Sequence, residues 1–205
     1  MSKTPLARHI GDPHLMDPLV AVDKRGYPSV EAHDQAFCRT WRNSVPNDRT
    51  PVFVYGDISK GNQASWEHAL SAIAELPGEK ILVEGNHEPT HPCHRNGYKK
   101  RRQALEVFTA VMQHNSMRIA GRTVMQSHFP YEGDHAGTEE RYLRHRLRDE
   151  GDPLVHAHVH DEWLTRLTNR DTLMVCVSWE QWPDLFPTTN DLARIIYAHD
   201  TLETS

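Results

Sequence analysis

The chain has 205 residues, 38% of them hydrophobic and 25% charged, with a net charge of -5, which is enough for one substantial core without disulfides or a structural metal. No apolar run approaches the roughly 20 residues that span a bilayer, and the net negative charge argues against a generally basic surface for nucleic acid. Cys38, Cys93 and Cys176 form neither a disulfide framework nor a CxxC pair, whereas fifteen histidines are a surplus that needs a location, because imidazole is the commonest metal ligand.

The opening Met1-Ser2-Lys3-Thr4-Pro5 has no apolar core and no small-residue cleavage pattern, so the expected compartment is the cytoplasm. Residues 1–205 are read as a single domain. Leu6 to Ile10 is a strand candidate, followed by a turn-rich stretch from Gly11 to Pro28 expected at the surface. From Ser29 as N-cap, Val30, Ala36, Phe37 and Trp41 share one helical face until Asn43 to Asp48 breaks the pattern. Pro51 to Tyr55 reads as a strand, Trp66, Leu70, Ile73 and Leu76 as a helix stopped by Pro77-Gly78, and Ile81-Leu82-Val83 as a buried strand.

That alternation predicts a largely parallel sheet with helices on its faces, an α/β fold. Leu105, Phe108, Val111 and Met112 predict a further helix, and Met117 to Ala120 with Thr123 to Gln126 a hairpin about Gly121-Arg122. Glu139 to Arg148 is a charged helix candidate, and Pro153-Leu154-Val155 and Leu173 to Val177 are strands. A last helix carries Leu192, Ile195 and Ile196, with Thr188 and Asp191 in capping-box spacing.

Five polar turns sit beside these apolar segments: Asp12-Pro13-His14, Gly56-Asp57, Gly85-Asn86-His87-Glu88, Ser127-His128 and Ala157-His158-Val159-His160. Asp12, His14, Asp57, Asn86, His128, His158 and His160 together offer two carboxylates, an amide and four imidazoles, enough for two cation sites with positions left open. Any one of these histidines alone is more often a surface or satisfied core residue; five turns in series alter that weighing.

The order D-x-H, GD, GNH[DE], H, GHxH resembles the calcineurin-like metallophosphoesterases, nearest to their small bacterial and phage branch, where Ser127-His128-Phe129-Pro130 and Val177-Ser178-Trp179-Glu180 also have counterparts. The resemblance implies a two-sheet β-sandwich flanked by helices, a four-layer α/β/β/α arrangement with the metals at strand C-terminal ends. It implies a binuclear centre, one metal on Asp12, His14, Asp57 and His160 and the other on Asp57, Asn86, His128 and His158, with Asp57 bridging. Two such cations about 3.5–4 Å apart share a water, lower its pKa and hold phosphate oxygens while the hydroxide attacks in line. His87 then serves the leaving group, Asn86 touches metal and phosphate, and Glu88 supports the turn.

The implied activity is hydrolysis of phosphate esters, foremost as a phosphodiesterase on a small or nucleotide-like substrate. Two divalent cations are implied, Mn2+ first, with Fe, Zn2+ or Co2+ also suited to the N/O donor set. A nuclease using the same chemistry would draw on Lys99-Lys100-Arg101-Arg102, although a solvated helix face is the plainer reading of that run. A non-catalytic scaffold on the same fold is a further alternative, disfavoured because none of the seven ligands is missing. His91, His94 and Arg141 are candidate substrate contacts. Two departures from the family pattern stand out. Ala157 replaces a usual glycine, the mildest such change. Lys60 stands where the phosphoprotein phosphatases carry a carboxylate that orients the catalytic histidine, which leaves Glu88 or a backbone carbonyl to hold His87.

Overall fold

A computed structural model describes residues 6–134, 140–160 and 163–203. Strands β1 (Arg8–Gly11), β2 (Pro51–Tyr55), β3 (Glu79–Val83) and β4 (Ala110–Met112) pair in that order, all parallel. Helices α1 (Val30–Ser44) and α2 (Gln63–Ala74) connect the first three strands. Both begin on side-chain caps, Ser29 accepting from the Ala32 N–H at 3.2 Å and Asn62 from Ser65 at 2.9 Å. Phe37 and Trp41 of α1 and Trp66 and Ile73 of α2 pack with Ile10, Val52, Val54 and Leu82, so both helices cover one face of this sheet.

A second sheet contains β5 (His114–Ile119), β6 (Arg122–Ser127), β7 (Leu154–His156), β8 (Thr165–Leu167) and β9 (Leu173–Cys176), in the order β5-β6-β7-β9-β8. The predicted hairpin is β5-β6; Ala120 and Gly121 at its tip have φ of 52° and 82°, the left-handed pair that suits the twist of a two-residue turn. Strands β6, β7 and β9 run parallel. Tyr55 and Val83 of the first sheet meet Val124, Val155 and Val175 of the second in a buried cluster shared with Leu192 and Ile196 of α4 (Thr189–Glu203). The α/β class and the helix-flanked two-sheet sandwich are therefore as expected. So is the capping box: the Thr188 N–H donates to Asp191 at 2.8 Å, and the Asp191 N–H to the Thr188 hydroxyl at 3.1 Å.

Three local expectations need correction. Leu105 to Met112 is not a helix: α3 spans only Arg101–Ala104, Leu105 is 50% exposed, and Ala110–Met112 is β4. The open edge of β3 decides this, because its backbone groups need partners; Thr109 N–H donates to Lys80 O at 2.8 Å and Glu84 N–H to Met112 O at 2.8 Å. Glu139 begins outside the described residues, and 140–148 holds only the 3-10 turn Leu143–His145, with Tyr142 left-handed at φ 57° and Arg146 turned inward. The stretch from Gly11 to Pro28 is not wholly superficial either: Asp12, His14, Leu15, Asp17, Val20 and Ala21 are buried, and Leu19–Lys24 forms a π-helical turn.

Strand direction fixes where chemistry collects. The C-terminal ends of β1, β2 and β3 lie on one edge, as do those of β6, β7 and β9. Gly11 N–H, donating to Val177 O at 2.8 Å, joins the two edges. Five of the polar turns leave from these ends.

Candidate metal centre

Three of the five turns, those carrying Asp12 and His14, Asp57, and His158 and His160, leave their strands through left-handed backbone. Asp12, His14, Asp57, His158 and His160 all have positive φ, between 49° and 73°. Non-glycine residues adopt this region at a cost of about 1–2 kcal/mol each. Five such residues in one cluster mean that the surrounding packing enforces them, and the left-handed turn directs each side chain back over the strand ends.

Among the described residues, two groups of donor atoms each lie within 4.8 Å of one another: Asp12, His14 and His160, and Asp57, His128 and His158, all buried. Asp57 Oδ2 lies between the groups, 3.9 Å from His14 Nε2 and 3.4 Å from His128 Nε2. Asn86 Oδ1 joins the second group at 3.3 Å from His128 Nε2, which is itself 3.2 Å from His158 Nδ1. All seven predicted ligands thus converge.

The hydrogen bonds on the far side of each ring identify which nitrogen faces the centre. His128 Nδ1–H donates to the Tyr55 carbonyl at 2.8 Å, His160 Nδ1–H to Glu180 Oε1 at 2.7 Å, and His158 Nε2–H to Asp134 Oδ1 at 3.2 Å. His128 Nε2, His160 Nε2 and His158 Nδ1 are the nitrogens left facing inward. Asp12 Oδ2 accepts from the His158 N–H at 2.9 Å and from the Ser178 hydroxyl at 2.5 Å, while its Oδ1 and His14 Nε2 are buried without hydrogen-bond partners. Burying such atoms unpaired is costly, and a cation between them would supply the missing partner. Burial disfavours charge on Asp57, yet His128, His87 and His14 hold its pKa well below the usual carboxylate range. Burial likewise opposes a proton on His128, but Asp57 and Asp12 lift its pKa to about 9. The cluster attracts positive charge, and its mixed oxygen and nitrogen donors fit borderline divalent ions.

His87 stands at the rim of this cluster. Its Nε2 is 3.9 Å from Asp57 Oδ2, and its Nδ1–H donates to the Lys60 carbonyl at 3.0 Å. Thus the backbone of Lys60, not a side-chain carboxylate, holds the ring. Gly61 permits the approach: its φ is +92°, and a Cβ there would lie 2.8 Å from the His87 carbonyl oxygen. Burial lowers the His87 pKa, but Asp57, the Lys60 carbonyl and Glu88 outweigh it and raise the value. Glu88 ties two turns together, accepting from the N–H groups of Asp57 at 2.9 Å, Ile58 at 2.8 Å and Gly85 at 2.5 Å.

The three candidate substrate contacts sit differently. His91 is buried, its ring edge-on to Phe129 and His145, and its Nδ1 accepts from the Cys93 N–H at 3.1 Å. Burial and the neighbouring His145 and His128 push its pKa down to about 3. His94 Nε2–H donates to the Asn86 carbonyl at 2.7 Å and so steadies a ligand-bearing turn. Arg141 pairs with Asp134 at 2.6 Å, the carboxylate that orients His158. In the basic run, Arg101 bonds Glu84 at 2.8 Å and Lys100 bonds Gln63 at 2.7 Å.

Sequence reasoning missed the residues behind the ligands. Ser178 and Glu180 follow a predicted strand and sit in the quoted run Val177-Ser178-Trp179-Glu180, so the strand-end rule that found the other turns extends to them. Asp134, which orients His158, and Arg25, whose Nε donates to Glu180 Oε1 at 2.8 Å, carry no such signal, since neither follows a strand end.

A family model described as calcineurin-like phosphoesterase matches residues 8–201. The chain is 38% identical over 159 residues to the Gene 66 protein of Mycobacterium phage L5, covering 74% of this chain and 73% of that protein. It is 34% identical over 160 residues to the Gene 66 protein of Mycobacterium phage D29, covering 76% and 79%. A crystal structure of a protein of unknown function from Aquifex aeolicus superposes with a TM-score of 0.69 at 18% identity, covering 94% of this chain and all of that one, a likeness of fold.

Proposed function

The chain belongs to the calcineurin-like phosphoesterase family, whose members hydrolyse phosphoesters with divalent metals, and from that premise we propose that it is a phosphodiesterase acting on a small or nucleotide-like substrate through a pair of cations, Mn2+ first among them. The observation that carries this reading is the position of Asp57 Oδ2 between His14 of one buried donor group and His128 of the other. When bound, the cation pair would supply Lewis-acid contacts to phosphate oxygens and an activated water.

The chain's own groups supply the rest. Asp12, His14, Asp57 and His160 would hold one ion, and Asp57, Asn86, His128 and His158 the other. The His87 ring is fixed by the Lys60 carbonyl at Nδ1, so Nε2 is the atom that meets substrate. Its raised pKa favours a proton there, which Nε2 would pass to the departing alkoxide oxygen as the P–O bond breaks. The intact ligand set supports catalysis over a scaffold role. For a nuclease there is less support, because Arg101 and Lys100 of the basic run are already hydrogen-bonded within the chain.

Metal-reconstituted protein should cleave aryl phosphodiesters, and a panel of cyclic nucleotides, dinucleotides, nucleic acids and monoesters should rank small diesters first. No cleavage of any diester with Mn2+ bound would sink the proposal. His87→Ala should retain metal and lose about 100-fold or more in kcat; unchanged turnover would remove His87 from its role.

A further inference from the structure

We propose that Arg25 is the positioning residue of the Asp12, His14 and His160 half of the centre and sets the cation affinity of that half independently of the other. This rests on the two-cation reading above.

The local fold aims Arg25 inward. It follows the π-helical turn Leu19–Lys24, and its N–H donates to Val20 O at 2.9 Å, five residues back. Such wide turns are uncommon and cluster at functional sites. The arginine side chain is only 6% exposed. Its Nη2 donates to the Asp12 carbonyl at 2.6 Å and its Nη1 to the Pro13 carbonyl at 3.2 Å. The Nε donates to Glu180 Oε1 at 2.8 Å, with Nη2 at 2.7 Å from the same oxygen. That oxygen is the one that receives the His160 Nδ1–H. On its outer side Nη1 donates to His33 Nε2 at 2.8 Å, and the guanidinium carbon lies 5.1 Å from the Trp179 ring centroid.

One guanidinium therefore holds the main chain of one ligand, Asp12, and the carboxylate that orients another, His160. Outer partners of this kind typically change metal affinity by about 10–100-fold when removed. The other half is served by a separate set: His158 donates to Asp134, and Asp134 pairs with Arg141 at 2.6 Å and Arg146 at 3.4 Å. Apart from the His158 N–H, which donates to the Asp12 carboxylate at 2.9 Å, none of those residues contacts Glu180 or Asp12 in the bonds just named, so the side-chain supports of the two halves are distinct. Lysine cannot substitute for Arg25, because a single ammonium cannot span acceptors at Asp12, Pro13 and Glu180 that lie along a planar fork.

The test is Mn2+ titration of metal-free full-length protein, read by calorimetry and by the Mn2+ electron paramagnetic resonance spectrum. Wild type should take up two ions and give an exchange-coupled signal. Arg25→Met should bind one ion at wild-type affinity with an isolated signal, and the second about 10–100-fold more weakly. Arg25→Lys should not restore the second. Glu180→Gln, which preserves an acceptor for His160 if Arg25→Met fails to fold, should shift the same half in the same direction. In an Asn86→Ala background, which weakens the other half, Arg25→Met should leave no tight ion, whereas Asp134→Asn on the wild-type chain should weaken the opposite half. The proposal is overturned if Arg25→Met and Glu180→Gln both bind two ions with wild-type affinities, or weaken both halves equally. A wild type that binds one ion overturns the two-cation reading instead; the role of Arg25 then survives only if Arg25→Met weakens that single ion.

Discussion

Gly11 and Ala157 form a complementary pair whose exchange can be measured. A Cβ built on Gly11 would lie 2.3 Å from the Ala157 Cβ, with the Tyr55 carbonyl oxygen at 3.3 Å and the Tyr55 Cβ at 3.4 Å blocking retreat. The pair flanks the centre, since Asp12 follows Gly11 and the His158 N–H donates to Asp12 Oδ2 at 2.9 Å. Gly11→Ala must push apart two strand ends by roughly an ångström in a close-packed interior, which costs about 1–3 kcal/mol. Ala157→Gly removes one buried methyl and frees the backbone, about 1–2 kcal/mol in sum. In the double variant the methyl simply moves across the interface, so the overlap vanishes. The two effects should then fail to add by about 1–3 kcal/mol, the coupling expected of residues in contact. Urea unfolding of the four metal-free proteins, with equal m values, gives this quantity directly. Mn2+ affinity should fall in Gly11→Ala and recover in the double variant. Additivity within about 0.5 kcal/mol would refute the steric argument, and with it the view that Gly11 makes room for Ala157 where the family usually has glycine.

Gly61→Ala forces a side chain into a backbone at φ +92° and against His87; kcat should fall about 10-fold or more with metal content unchanged, and equal turnover would show that the Lys60 carbonyl does not orient His87. At Gly85 a Cβ would lie 2.4 Å from Asp57 Oδ1 and 2.7 Å from His128 Cε1, so dialysis should show Gly85→Ala losing Mn2+ at the Asp57, Asn86, His128 and His158 half; retention of two ions would contradict the packing. His9 is buried between the Tyr55 hydroxyl at 3.0 Å and the Thr189 hydroxyl at 3.1 Å, and burial, aided by Arg8, lowers its pKa to about 3. Its folded pKa lies below the unfolded value of about 6.5, so its contribution is complete above pH 6.5 and is lost as pH falls. Between pH 7 and pH 5 that loss is about 2 kcal/mol, and the pH slope of unfolding in His9→Phe should be shallower by that amount; parallel slopes would mean that His9 takes up a proton without unfolding.

The extent to which this site can be read from sequence follows from where each donor sits. Asp12, Asp57, Asn86, His128 and His158 each stand within a few residues of a contiguous apolar run, so the strand-end rule finds them without knowledge of the fold. The helices α1 and α2 are equally legible, because Phe37 and Trp41, or Trp66, Leu70 and Ile73, repeat at helical spacing between strong caps. Periodicity fails where a backbone edge outranks it: Val111 and Met112 fit a helical face with Phe108, yet the unpaired edge of β3 draws them into β4.

Support for the ligands is legible only in part, for a related reason. Glu180 stands shortly after β9 and shows the same signature as the ligands, whereas Arg25 reaches it from 155 residues away and Asp134 reaches His158 from 24 residues away. No local pattern encodes such pairs; they arise when the two sheets close and bring the Gly11 and Ser178 edges together. The left-handed backbone of Asp12, His14, Asp57, His158 and His160 has the same origin. Nothing in those residue types demands positive φ, and the turns adopt it because burial, the Glu88 clamp and the Arg25 fork leave the chain no other exit from the strand ends. Composition thus supplies the donors, while closure of the sandwich supplies their aim, and a change to the supports should alter metal affinity before it alters the fold.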